Sequence, residues 1–132
     1  MINYLAVIVA AVINMVIGFA WYSQSMFGKQ WMALMGKSAA DLKGGMKPST
    51  YPLMTLSALV MAYVMANVVG WAGASTIGEG LMVGFWVWLG FVVTTSSANV
   101  LFEQRPKGLF YITVGYYLVS LVIMGALLAV WQ

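Results

Sequence analysis

Apolar residues fall in four long runs, Ile2 to Tyr22, Tyr51 to Trp71, Leu81 to Phe102 and Leu109 to Trp131, separated by polar or basic connections. A helix of about 21 residues at 1.5 Å per residue covers roughly 31 Å, the thickness of a bilayer's hydrocarbon core. Helix is the conformation such runs must take in lipid, because an open strand leaves backbone groups unpaired at several kcal/mol each. The pattern predicts an all-α fold, an integral membrane four-helix bundle forming one domain over residues 1–132. The first run lacks a basic leader and exceeds the usual length of a signal-peptide core, so it reads as an uncleaved span.

The long connection, Ser23 to Pro48, interleaves Met26, Phe27, Trp31, Leu34 and Met35 with Gln24, Lys29, Gln30 and Lys37. Apolar residues three to four apart beside lysines predict a short amphipathic helix at the membrane surface, between spans one and two. Gly28 weakens that helix by roughly 1 kcal/mol relative to Ala. Ser38 and Asp41 resemble a capping box whose turn Gly44 and Gly45 end. Pro48 and Pro52 suit the entry to span two. At the start of span three, Thr76 and Glu79 form a T-x-x-E capping box.

Small residues at four-residue spacing mark faces where membrane helices approach closely. Span two carries Ala58, Ala62, Ala66 and Gly70, with Tyr63 and Asn67 beside them. Span one carries Ala10, Asn14 and Gly18, and span three opens with Gly80 and Gly84.

Charge then orients the bundle. All six Lys and Arg lie in two connections: Lys29, Lys37, Lys43 and Lys47 after span one, Arg105 and Lys107 after span three. The positive-inside rule makes both connections cytoplasmic and puts both termini outside, in the cell (inner) membrane. Trp21, Tyr22, Tyr51, Trp71 and Trp131 at span ends read as interfacial anchors rather than ligand stackers. Trp86 and Trp88 lie inside span three, where one of them lines an internal contact or cavity.

Composition removes several kinds of function. Of 132 residues 63% are hydrophobic and 7% charged, against about a quarter charged in soluble domains. A net charge of +3 confined to membrane-flanking segments gives no nucleic-acid surface. With no His or Cys and three scattered acids, nothing here suggests an enzyme, a cofactor or a metal site. No carboxylate sits in mid-span, which argues against proton-coupled transport.

The polar residues within spans remain. Asn14 and Asn67 serve either interhelical bonding or contact with a solute. Thr94, Thr95, Ser96, Ser97 and Asn99 make the cytoplasmic half of span three the most polar intramembrane stretch, with Thr95, Asn99 and Glu103 on one face. Thr94 and Ser97 can return their hydroxyls to their own backbone. Glu103 can also pair with Arg105, Lys29 or Lys107. A weak internal likeness, Gly18-Phe19 with Gly90-Phe91 and Met61-Ala62 with Met124-Gly125, allows two parallel two-helix units, an arrangement transporters use.

Trp21-Tyr22-Ser23, Phe27-Gly28-Lys29 with Trp31, Thr94-Thr95-Ser96, Leu101-Phe102-Glu103 with Arg105-Pro106, and Gly115-Tyr116-Tyr117 together carry a resemblance over nearly the whole chain. The sequence resembles the bacterial membrane-protein family catalogued as domain of unknown function seventeen-sixty-one. The resemblance implies a proline where Gln24 stands and allows a histidine where Tyr117 stands, so histidine chemistry does not carry over. It supports the four-helix architecture and implies no activity. Small multidrug transporters also have four helices, but they depend on a carboxylate in the first, where this chain has Asn14.

These observations favour a non-enzymatic, self-associating scaffold or accessory protein that binds membrane lipids or another membrane protein. The alternative is a small transporter or channel with its path along Asn14, Asn67, Thr95, Asn99 and Glu103. Convergence of those side chains on one cavity would mark transport, and scattered pairwise bonds would mark the scaffold.

Overall fold

The computed structural model describes residues 2–23, 25–36, 49–104 and 106–132. These residues are all helix and connection: α1 (Tyr4–Trp21), α2 (Gly28–Met35), α3 (Thr50–Ala72), α4 (Ile77–Glu103) and α5 (Lys107–Val130). All but α2 are long and apolar enough to cross a membrane.

Helix ends sit where local chemistry satisfies backbone groups. Asn3 caps α1, its Oδ1 accepting from the Ala6 N–H at 3.2 Å. Gly73, at φ 70°, closes α3, and the Ala74 N–H reaches back to the Val69 carbonyl at 3.1 Å. α4 begins at Ile77, four residues before the apolar run, because the Thr76 hydroxyl accepts from the Glu79 N–H at 3.2 Å. The Glu79 carboxylate accepts from the Ser75 N–H at 3.3 Å and the Thr76 hydroxyl at 3.0 Å.

α5 is the central helix. It buries residues on several faces, from Leu109 and Ile112 through Tyr116 and Ser120 to Leu128 and Ala129, and touches every other helix. α4 lies against one side of it, in backbone-to-backbone contact. A methyl group placed on Gly80 would come within 2.7 Å of the Ala126 Cα, and one on Gly84 within 2.7 Å of the Val122 Cα. Only glycine allows so close an approach, which gains dispersion contacts along the seam.

The other side of α5 meets α1 and α3, which also pack on each other. Ala6, Val7, Ala10 and Ala11 of α1 join Ala58, Ala62, Met65 and Val69 of α3 and Leu121, Met124 and Leu128 of α5 in one core. On α3 the buried positions thus leave the four-residue stripe after Ala62: Ala66 is half-buried and Gly70 exposed, while Met65 and Val69 are inside. Four residues turn an α-helix through about 400°, so a strict four-residue stripe drifts around the helix, whereas alternating steps of four and three stay on one face. Nothing lies within 4 Å of where a Gly70 side chain would begin. Gly70→Ala is therefore expected to be neutral or to stabilise by up to about 1 kcal/mol through helix propensity alone, as read by unfolding in detergent micelles.

The core occupies the end of the bundle that holds Asn3, Ala74 and Gln132, where the Gln132 side chain donates to the Ala74 carbonyl at 2.8 Å. The opposite end holds α2, Lys29, Lys107 and the entry to α3. There the helices part.

α4 changes pitch in its middle. Residues Trp88–Val93 form a wide π-helical segment, followed by α-helix from Thr94. The Trp88 indole N–H donates to the Val114 carbonyl of α5 at 2.7 Å, whereas Trp86 is exposed. Beyond this segment α4 packs more lightly on α5 and buries no residue. Its hydroxyls are satisfied locally: Thr94 donates to the Gly90 carbonyl at 2.8 Å, Ser97 to Val93 at 2.7 Å, and Thr95 to Phe91. Such bonds remove the cost of bare polar groups in apolar surroundings. Gln104 ends α4 in the left-handed region, at φ 54°.

Candidate functional site

A cavity of about 880 Å³ lies between α1, α2, α3 and α5, in the half of the bundle away from the core. That volume is within the range of small-molecule sites, about 300–1,000 Å³.

The roof is set by a tight turn. After α1 the Phe27 N–H donates to the Trp21 carbonyl at 3.0 Å and the Gly28 N–H to the Ser23 carbonyl at 2.8 Å. A Cβ on Gly28 would press into the Ser23 carbonyl at 2.7 Å, so glycine is required at this first position of α2. Its helix-weakening effect is small beside that need. The turn brings Trp31 of α2 over Tyr22, ring centroids 6.2 Å apart and nearly perpendicular. Leu34 rests over Gly108 at the start of α5, and the Trp21 indole donates to the Ile112 carbonyl at 2.9 Å. Trp21 therefore ties α1 to α5, a role that a span-end position did not reveal.

One wall is aromatic. Tyr22 meets Tyr116 at 5.9 Å between centroids, and Tyr116 meets Tyr117 at 4.8 Å. Gly18 makes room for this, since a Cβ there would lie 3.2 Å from the Tyr116 hydroxyl. The α3 wall carries Tyr51, Leu53, Met54, Ser57 and Met61. Thioethers adapt to differently shaped occupants. No charged side chain lines the cavity among the described residues.

The inner end is polar. Asn14 is 6% exposed, and its Oδ1 accepts from the Tyr116 hydroxyl at 2.8 Å and from the Ser120 hydroxyl, itself fully buried. The Tyr116 hydroxyl also lies 3.1 Å from the Asn14 backbone carbonyl. This cluster separates the dry core from the cavity.

The other polar candidates lie elsewhere. Asn67 donates to the Tyr63 carbonyl of its own helix at 3.0 Å. Thr95 and Asn99 are on the exposed surface of α4, Glu103 is exposed at its end, and none of these four lines the cavity. Lys29 and Lys107 are exposed at the cavity's end of the bundle. Arg105, and the turn expected around Ser38 to Gly45, lie outside the described residues. Tyr116 and Ser120, i and i+4 on α5, were not singled out by sequence as partners of Asn14, although a hydroxyl pair at that spacing within an apolar run was a readable signal.

Four helices long and apolar enough to span a bilayer, packed around an aromatic cavity that no charged side chain lines among the described residues, are the pattern of a small multi-pass membrane protein. The family model described as "Protein of unknown function (DUF1761)" matches residues 5–129, and the chain belongs to that family. No curated protein and no solved structure matches the chain.

Proposed function

We propose that the chain is a non-enzymatic accessory protein of the bacterial inner membrane that holds a lipid or another small amphiphile in its inter-helix cavity and associates with copies of itself. The observation that carries this reading is the cavity: large enough for a ligand, walled by aromatic rings and thioethers, and without a charged lining side chain among the described residues. The absence of His and Cys from the sequence supports the non-enzymatic part.

The one-sided distribution of Lys and Arg supports an orientation with the cavity's end at the cytoplasmic face and both termini outside. In that orientation α2 lies at the membrane surface, Lys29 toward the headgroups and Trp31 toward the cavity. Self-association is supported by the exposed, polar second half of α4. Asn99 projects from a surface also bearing Phe102, and a second copy would give its amide a partner that lipid tails lack. Asn67, Thr95, Asn99 and Glu103 lie apart from Asn14, so the geometry supports a binder over a channel within one chain.

Native mass spectrometry from lipid nanodiscs tests both halves. The expected spectrum holds a multiple of the chain mass with retained lipid or amphiphile. A bare monomer that releases every bound species at the lowest activation energy would overturn the reading.

A further inference from the structure

Asn14 has more bonding capacity than the protein uses. Its Oδ1 is occupied by two hydroxyl donors, while its Nδ2 carries two N–H groups for which no partner exists among the described residues. No side-chain nitrogen or oxygen among those residues is both sealed off and unpaired, and Asn14 lines the cavity, so the amide N–H groups open onto it. A side chain 94% buried that aims free donors into a cavity is built for an acceptor.

The surroundings narrow what the acceptor is. No charged side chain lines the cavity among the described residues, so a carboxylate or phosphate beside Asn14 would be desolvated with no countercharge from them, a large cost. A neutral carbonyl oxygen has no such cost. Depth narrows it further: from Tyr22 at the rim to Asn14 is eight helical residues, about 12 Å. A phospholipid entering tail first would put hydrocarbon against the Asn14 amide, leaving the donors unmatched. The aromatic faces of Tyr22, Tyr116 and Tyr117 lie along this path and suit a flat ring. A shallow apolar groove of about 550 Å³ on α3, which includes Leu56, Val60 and Val64, shares Leu53, Ser57 and Met61 with the cavity wall and offers a course for an alkyl tail.

The geometry points to a neutral, ring-bearing carbonyl compound with an apolar tail, of quinone type, as the ligand, its carbonyl oxygen accepting from the Asn14 amide and its ring lying against the tyrosines. This rests on the proposal that the cavity binds an amphiphile, and deepens it.

The probe is decyl-1,4-benzoquinone, carbonyl-labelled with carbon-13, titrated into the full chain in nanodiscs beside empty nanodiscs, with decylbenzene as the tail-and-ring control. Saturable binding of the quinone, a lowered carbonyl stretching frequency on binding, and much weaker binding of decylbenzene are expected. Asn14→Leu should weaken quinone binding at least tenfold and abolish the frequency shift. Met54→Trp fills the cavity from α3 while leaving Asn14, Tyr116 and Ser120 in place and should weaken binding by a similar factor, which keeps the test intact if Asn14→Leu fails to fold. Equal binding of quinone and decylbenzene, unaffected by Asn14→Leu, would overturn the carbonyl assignment while leaving an amphiphile site in place. No saturable binding of either probe, with lipid still retained in native mass spectra, would also overturn this inference alone. The same failure with no lipid retained would overturn the cavity-binding proposal as well.

Discussion

Gly84→Leu is expected to destabilise the bundle by about 3 kcal/mol, the upper end of overpacking costs. Even the first carbon of a side chain at Gly84 would lie 2.7 Å from the Leu121 carbonyl carbon and the Val122 Cα. Those atoms are backbone in the middle of the central helix, so they cannot swing aside as a flexible side chain would. α4 must move off α5, and the seam around Gly80 and Gly125 opens with it, since the Gly125 Cβ position is 3.3 Å from the Gly84 nitrogen. The measurement is reversible unfolding in mixed micelles, with Gly90→Ala as the control, because Gly90 has open space around it. A Gly84→Leu protein within 0.5 kcal/mol (about the spread for ordinary surface changes) of the parent would show that the two helices do not pack as described.

Asn14→Leu is expected to cost about 2 kcal/mol of stability, within the penalty of about 1–3 kcal/mol for stranding a buried hydroxyl. The loss falls mainly on Ser120. The Tyr116 hydroxyl keeps the Asn14 backbone carbonyl at 3.1 Å, whereas Ser120 is left with the Met124 sulfur at 3.5 Å, a weak acceptor. Ser120→Ala in the same background should therefore restore part of the loss, since removing both partners is far less costly than removing one. Unfolding free energies of the two single variants and the double variant close the cycle. A coupling indistinguishable from zero would mean that the Asn14 and Ser120 side chains do not bond.

Several features of the fold are readable in the sequence. Apolar runs long enough for a bilayer gave the four long helices, with the ends of α3 and α5 displaced by one or two residues. The start of α4 shifted more, from Leu81 to Ile77, because a capping box extends a helix past its apolar run, and the T-x-x-E pattern already marked it. The short α2 was legible from its alternation of rings, methionines and lysines, although its length settled at Gly28–Met35. The strongest pairings, α1 with α3 and α4 with α5, follow chain order. They are made differently, by alanine and methionine side chains in the first and by glycine backbone in the second.

The candidate site was legible only in its deepest residue. Asn14 stood out as a polar group in mid-span, but its partners come from residues 102 and 106 positions away. Tyr22 and Tyr51 looked like interfacial anchors because a span-end ring has the same sequence signature whether it faces headgroups or a cavity. Thr95 and Asn99 share a face by spacing, yet which way that face turns depends on the wide π segment from Trp88 to Val93, and no residue pattern within it announced the change of pitch.

By itself, the sequence determined the number of long helices, their length and the charge asymmetry between the ends of the bundle, since each follows from local transfer energies and run lengths along the chain. Tertiary structure alone decided that α5 is central, that Gly80 and Gly84 meet Gly125, and that one half of the bundle is solid while the other parts around an open cavity. Those outcomes depend on which surfaces fit each other at backbone distance, and among apolar helices of nearly uniform chemistry that is a matter of shape in three dimensions.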